Sequence, residues 1–226
     1  MISTKNTVKK QSISIPYKKC DKLALLYGII LGDGCLSRIK RSYFISIAGS
    51  IKDDLIFFEK VIVPILKDLI NKEIPIRIRI KQRELHILFS HKVLFNKLKD
   101  KGFPIGKKGT KLKISEKFNK NDIKYIIQGY FATDGCLVLT KNPNKLYPRI
   151  EFSSISKGLL SQVLVYLKNL EMNGNIYISH KYSNKNWNTL YRLQFNGKNN
   201  LKIFEHKIGF INPKHKTKYE SFLRIK

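Results

Sequence analysis

Two aspartates, Asp33 and Asp134, each end an apolar run and each is followed by Gly-Cys-Leu, as Gly34-Cys35-Leu36 and Gly135-Cys136-Leu137. The runs are Leu25-Leu26-Tyr27-Gly28-Ile29-Ile30-Leu31-Gly32-Asp33 and Ile126-Ile127-Gln128-Gly129-Tyr130-Phe131-Ala132-Thr133-Asp134, spaced 101 positions apart. Each reads as a buried helix with an acidic tip. A carboxylate there faces the negative end of the helix dipole and the last free carbonyls, unfavourable by several tenths of a kcal/mol, so a positive partner is expected. Two such tips side by side raise one pKa unless a divalent cation takes both as oxygen ligands. A single Asp-Gly would only cap a helix and begin a turn; the repetition argues for more.

Small residues four apart line one stripe of each helix, Gly28 with Gly32 and Gly129 with Thr133. Such stripes let two backbones meet closely. The two motifs resemble the signature helix of the LAGLIDADG homing endonucleases, in the form where two half-domains are fused in one chain. Leu31 and Ala132 stand where that signature has its first acidic letter. The resemblance covers roughly residues 20–226. It implies that Asp33 and Asp134 are metal ligands, assisted by the backbone carbonyls of Gly32 and Thr133, and that a lysine lies near each site in the loop after the short helix or on the strand beside the motif. Lys107 and Lys214, equivalent under the repeat, are the first candidates, with Lys216 and Lys218 behind them. The family's polar or basic slot at the end of the second strand holds Ser46, Ala48 and Gly49 in one half and Glu151, Ser153 and Ser154 in the other. That departure predicts unequal sites.

Composition points to the same class of partner. The 226 residues carry 44 Lys and Arg against 16 Asp and Glu, a formal charge of +28 that calls for a polyanion, with nucleic acid the default. No apolar run is long enough to span a bilayer, and residues 1–20 are basic without an apolar centre, unlike a secretory signal. Three cysteines in this spacing make neither a zinc site nor a disulfide framework. The expected location is intracellular, in cytoplasm, nucleoid or organelle matrix.

The chain read in order is a duplicated α-β-β-α-β-β-α unit, an α+β fold with pseudo-twofold symmetry. The expected division is a basic extension over 1–20, a first half-domain over 21–111, a linker over 112–121 and a second half-domain over 122–226. In the first half the expected elements are a motif helix at 22–33, strands at 35–37 and 43–48, a helix at 52–71 that Pro64 kinks, strands at 74–81 and 84–89, and a short helix at 92–101. In the second they are strands at 137–140 and 148–152, a helix at 157–173, strands at 175–182 and 189–195, and a short helix at 199–209. The segments after the short helices pair at an offset of 107, Gly102 with Gly209 and Lys107 with Lys214, and both read as lysine-rich loops. The two four-stranded sheets would form a saddle over duplex DNA.

The outward strand residues are the expected DNA contacts. Between Ile74 and Lys81 isoleucine alternates with base, which gives a greasy face opposite Arg77, Arg79 and Lys81. A row of like charges repels itself unless phosphate crosses it. Glu84 and His86 on the return strand are placed to read base edges. Arg38, Lys40, Arg41 and Ser46 join them in the first half. In the second half the set is Lys141, Lys145, Arg149, Glu151, Tyr177, Ser179, Lys181, Arg192 and Gln194, with Trp187 at the hairpin tip.

A phosphodiester is hydrolysed when water is activated, phosphate charge is neutralised and the leaving oxygen is stabilised, all of which divalent metals supply. Magnesium is the expected ion for hard oxygen ligands, with manganese substituting and calcium binding without supporting cleavage. With the resemblance, the chain reads as a monomeric endonuclease that cuts both strands of a long asymmetric duplex site, leaves 3′ cohesive ends and promotes intron- or intein-type mobility. The alternative is a weakly cutting or non-cutting relative that holds DNA or intron RNA, as a maturase does.

Overall fold

The computed structural model describes residues 19–142, 145–183 and 187–224, with the side chains of residues 19, 20, 142 and 145 excepted. The basic extension at 1–20 and the side chain of Lys145 therefore lie outside the described residues, the first turn of one helix apart. The first half runs α1 Lys19–Asp33, β1 Gly34–Ile39, β2 Ser42–Ser50, α2 Ile51–Phe57, a π-helical turn Phe58–Ile62, α3 Val63–Ile70, β3 Arg77–Arg79, β4 Glu84–Ser90 and α4 Lys92–Asp100. The second runs α5 Lys120–Asp134, β5 Gly135–Asn142, β6 Lys145–Ser154, α6 Lys157–Lys168, β7 Gly174–His180, β8 Leu190–Asn196, α7 Gly197–Lys207 and α8 Pro213–Arg224. Each half builds one antiparallel four-stranded sheet, ordered β1-β2-β4-β3 and β5-β6-β8-β7.

The helix expected at 52–71 runs as α2, a π turn and α3, the π turn lying just before Pro64. Proline cannot donate an amide hydrogen bond and its ring crowds the carbonyl four residues back, so the ladder slips by one, with Val63 N–H bonding the Phe58 carbonyl. Asn71, in the left-handed conformation, ends α3.

Each sheet buries the side chains that alternate inward: Ile45, Ile47, Leu85 and Ile87 in one, Leu137, Ile150, Leu193 and Phe195 in the other. The greasy face expected along 74–81 holds only at its start. Ile74 is buried, whereas Ile78 and Ile80 are exposed and only Arg77–Arg79 pair as strand. β3 is the edge strand of its sheet, its Ile78 side chain is uncovered among the described residues, and Lys81 falls in the following turn. Likewise β7 stops at His180, which leaves Lys181 beyond the strand.

Helices α1 and α5 pack along the small-residue stripe. A Cβ on Gly28 would overlap the Ile126 carbonyl, and one on Gly129 would overlap the Leu25 carbonyl. Only glycine allows this approach. The stretch expected as a linker carries little regular structure before α5 but is pinned. Leu112, Ile114 and Phe118 are buried, and the Gln162 amide both donates to and accepts from the Ile114 backbone, at 2.9 and 2.8 Å.

Candidate nucleic-acid cleavage site

The close crossing of α1 and α5 carries their last turns together. A Cβ placed on Gly32 would lie 3.2 Å from the Asp134 carboxyl carbon, so the two acidic tips sit side by side. Asp33 keeps exposed surface; Asp134 is half-buried. Desolvation first, and the neighbouring carboxylate second, push Asp134 up to about 7. Asp33 is raised by desolvation, then by the nearby Asp54 carboxylate, against lowering by Lys108 and Lys214. Two crowded carboxylates that resist ionising together form a pair that gains from a bound cation. Among the described residues no three His, Cys, Asp or Glu side chains gather as a metal site. The protein thus offers two hard oxygen donors, which fits an ion that keeps water and phosphate oxygens in its remaining positions.

The lysine at the first helix end is Lys108, not Lys107, which is exposed. The segment after α4 turns on Gly102, whose φ is 90°, and then runs beside β1, where Gly106 N–H donates to the Leu36 carbonyl at 2.7 Å and Ile105 bridges Leu36 in parallel. This strap delivers the Lys108 ammonium to the end of α1. It donates to the carbonyls of Leu31 at 2.8 Å, Ile30 at 3.3 Å and Gly32. The Gly32 carbonyl, expected as a metal ligand, is therefore engaged by an ammonium.

The second half departs from the first at the equivalent place. The segment expected as a loop is the helix α8, so Lys214, Lys216 and Lys218 stand on a helix. Its start has a legible cause, since Asn212 caps it and Pro213 occupies the first turn. The Asn212 Oδ1 accepts from Lys214 N–H at 3.1 Å. Its amide donates to the Ala132 carbonyl of α5 at 2.8 Å and to Asp54 Oδ1 at 3.2 Å. Lys214 Nζ pairs with the same Asp54 oxygen at 2.9 Å. Lys218 reaches the Leu137 carbonyl at 3.3 Å, and Lys216 is exposed. Thr133 turns its hydroxyl back to the Tyr130 carbonyl at 3.0 Å.

Lys108, Asp54 and Asn212 were not among the expected site residues. Asn212-Pro213 was the available signal for one of them; nothing local to Asp54 distinguishes it from an ordinary first-turn acid.

The outward rows are mixed in charge. Arg77 and Arg79 stand opposite His86 and Glu84, and Arg79 pairs with Glu84 at 3.5 Å. Burial, then the two arginines, lower the His86 pKa, which keeps the ring neutral at neutral pH. Glu151 is buried rather than free to touch DNA. It holds Arg149 at 3.1 Å, Arg192 at 3.7 Å and the Gln194 amide at 3.1 Å, so its carboxylate orders a polar row. Ser46 is half-buried, with only a 3.5 Å approach to the Cys35 carbonyl. Arg38, Lys40, Arg41, Lys141, Tyr177, Lys181 and Trp187 are exposed, and Ser179 is half-buried.

Residues 122–209 match the family model described as LAGLIDADG-like domain. The chain is 30% identical over 207 residues to the probable translation initiation factor IF-2 of Methanocaldococcus jannaschii, which covers 88% of this chain but only 16% of that protein. Among solved structures it is similar to the homing endonuclease I-DmoI in complex with DNA and Ca, with a TM-score of 0.60 and 20% identity over 85% of this chain and 91% of that one. It is also similar to the I-LtrWI LAGLIDADG homing endonuclease bound to target DNA, with a TM-score of 0.57 and 12% identity over 92% and 90%. I-DmoI has also been crystallised with DNA and Mn. At these identities the structural likenesses show the fold. Residues 122–209 are thus a LAGLIDADG-like domain, and the chain has the LAGLIDADG homing-endonuclease fold across both halves, with its two signature helices meeting at their acidic ends.

Proposed function

We propose that the protein is a site-specific endonuclease acting as a monomer on double-stranded DNA, with Asp33 and Asp134 as the residues that hold divalent metal. The observation that carries this reading is the pairing of two desolvated carboxylates at adjacent helix ends, with Lys108 and Lys214 close enough to act on them electrically. Two sites on one pseudo-twofold axis suit two scissile bonds, one in each strand. A divalent cation bound there supplies phosphate charge neutralisation and an acidified water. The chain's own groups do the remaining work. Lys214 and Lys108 add positive charge beside the reacting phosphates, and Lys216 and Lys218 extend it along α8. The exposed Arg38, Lys40, Arg41, Arg77, Arg79, Lys141 and Lys181 hold the backbone and give binding a steep salt dependence. Arg149, Arg192 and Gln194, ordered by Glu151, are donors aimed at base edges.

Unlike halves favour a long asymmetric site, with cohesive ends left by offset cuts. Magnesium or manganese supports the reaction and calcium supports binding alone. That nearly the whole chain aligns with about a sixth of a translation factor supports an element carried inside a host coding sequence, in the manner of an intein. Such an element works wherever its target DNA lies, in cytoplasm, nucleoid or organelle matrix.

The deciding experiment is selection of cleaved sites from a randomised duplex library with magnesium, run beside Asp33→Asn and Asp134→Asn. The parent selects one long site and cuts both strands. Each variant binds that site and loses double-strand cleavage by more than the ~10–100-fold that removing a mere outer partner of a metal ligand costs. A parent that binds tightly and cuts with neither magnesium nor manganese is instead a binding relative, to be tried on folded intron RNA. The Lys108 ammonium on the Gly32 carbonyl is the observation that favours that second reading.

A further inference from the structure

We propose that Asp54 is a positioning residue through which the first half of the chain controls the lysine of the second, holding the Lys214 ammonium beside the paired acidic tips. The inference rests on the endonuclease reading for its consequence, but the contact itself does not.

Asp54 lies in the first turn of α2, and its two oxygens serve different halves. Oδ2 accepts from the Ser50 N–H at 3.1 Å and so closes its own helix start. Oδ1 accepts from Asn212 at 3.2 Å and from Lys214 Nζ at 2.9 Å, residues some 160 positions away. Asp54 is 8% exposed and Asn212 is wholly buried. The same Asn212 amide bonds the Ala132 carbonyl, two residues before Asp134. The anchor of the Lys214 ammonium is thereby tied to the last turn of α5. A carboxylate that only capped α2 would need no charged partner and would gain nothing from burial, because a buried charge is costly unless paired.

The repeat sharpens the point. Ser50 and Ser156 are the equivalent caps of α2 and α6, so the second-half counterpart of Asp54 is Leu160, which is fully buried and apolar. Among the described residues Lys108 makes no ion pair and rests on helix carbonyls instead. One lysine is held by an ion pair across the two halves and the other by its own half's helix end. The two strand cuts should therefore respond differently to loss of Asp54.

Two measurements test this. The first needs no cleavage: metal-free parent and Asp54→Asn are reductively methylated and the lysines mapped by mass spectrometry. Lys214 is modified several-fold faster in the variant, while Lys216, exposed on the same helix, is unchanged; Asp54→Glu, which keeps the charge, keeps Lys214 slow. The second follows both strands of an end-labelled selected site. Asp54→Asn slows, by about 10-fold or more, the same strand that Lys214→Met slows, as misplacing a reacting group does, and leaves the other within a few-fold. Added to Lys214→Met it changes nothing further. Equal Lys214 labelling in parent and Asp54→Asn overturns the ion pair. Equal slowing of both strands, or a further loss in the Lys214→Met background, overturns the positioning role and leaves Asp54 a structural cap. If the parent cuts no DNA, the endonuclease reading fails, and the labelling alone decides whether Asp54 holds Lys214.

Discussion

The end of α1 is closed by the Lys108 ammonium and the end of α5 by the Asn212 amide, although the two helices are copies of one motif. A cation at a helix C-terminus gains from the dipole as well as from hydrogen bonds; a neutral amide gains only the bonds. The same asymmetry recurs one step along. The Leu36 carbonyl takes the Gly106 backbone N–H, while its counterpart, the Leu137 carbonyl, takes the Lys218 side chain. In the first half the chain leaves the short helix as a strap, with glycines of positive φ at positions 102, 106 and 109. In the second, only Gly209 is of that kind before Asn212-Pro213 starts a helix. The two halves share the acids and the close helix contact and differ in the basic groups around them.

The helix crossing is where the halves are most alike, and changes there should be both the largest and the most equal. Gly28→Val and Gly129→Val each force a side chain into a backbone carbonyl of the partner helix. Each is expected to cost about 3 kcal/mol or more, at or beyond the upper end for overpacking, and to lower the melting temperature by roughly 6–12 °C. Clearly unequal losses would show that the crossing is less symmetric than its glycines.

Next in size is an opposition in pH dependence within the second half. Asp134 sits at about 7 when folded without metal, against about 3.9 unfolded, so the folded state binds more protons between those values. Stability is highest below the lower value and falls as pH rises through 7, by up to about 1.4 kcal/mol per unit. His215 is the reverse. Desolvation first, then Lys214 and Lys218, depress it to about 3, and its ring is buried against Phe131. Its contribution is complete above about 6.5 and is lost as pH falls from there toward 3. Thermal melts in chelator from pH 4.5 to 8 should separate the two: Asp134→Asn keeps only the acid loss, and His215→Phe keeps only the alkaline one, which magnesium relieves. A parent and an Asp134→Asn variant with parallel curves would contradict the pairing of the tips.

The smallest effects probe the two helix caps directly. Asn212→Ala strips the caps of α8 and α5 and leaves Asp54 short of a partner, a loss of about 1–3 kcal/mol. Lys108→Met should cost less, about 1 kcal/mol. Melts across a salt series sharpen the contrast, since the Lys108 contribution shrinks with ionic strength and the Asn212 contribution does not. Identical salt responses would mean that the two caps differ in name only.

The motif helices, both sheets and the order of elements were legible because each depends on nearby residues: a helical apolar run ending in Asp-Gly, strands of period two, and small residues on one stripe. The lysines were not. Pairing the halves by offset set Lys107 beside Lys214, but one lies on an extended strap and the other on a helix, so equal position did not mean equal direction. Glu151 read as an outward residue by alternation alone; the arginines that bury it come from its own strand and from β8, 41 positions farther on (192 − 151). The alternating isoleucines of 74–81 predicted a buried face, yet burial requires something to cover it, and beyond Ile76 nothing does.

The sequence by itself determined that two acidic helix ends would exist, that their helices would tolerate only a close, glycine-lined contact, and that the surface around them would be strongly basic. Only the tertiary structure decided which cations attend those acids. Asp54 and Lys214 are far apart along the chain, and no periodicity or spacing encodes their meeting. It follows from where the two halves bring a helix start and a helix cap into contact, and from the need of a buried carboxylate for a charged partner.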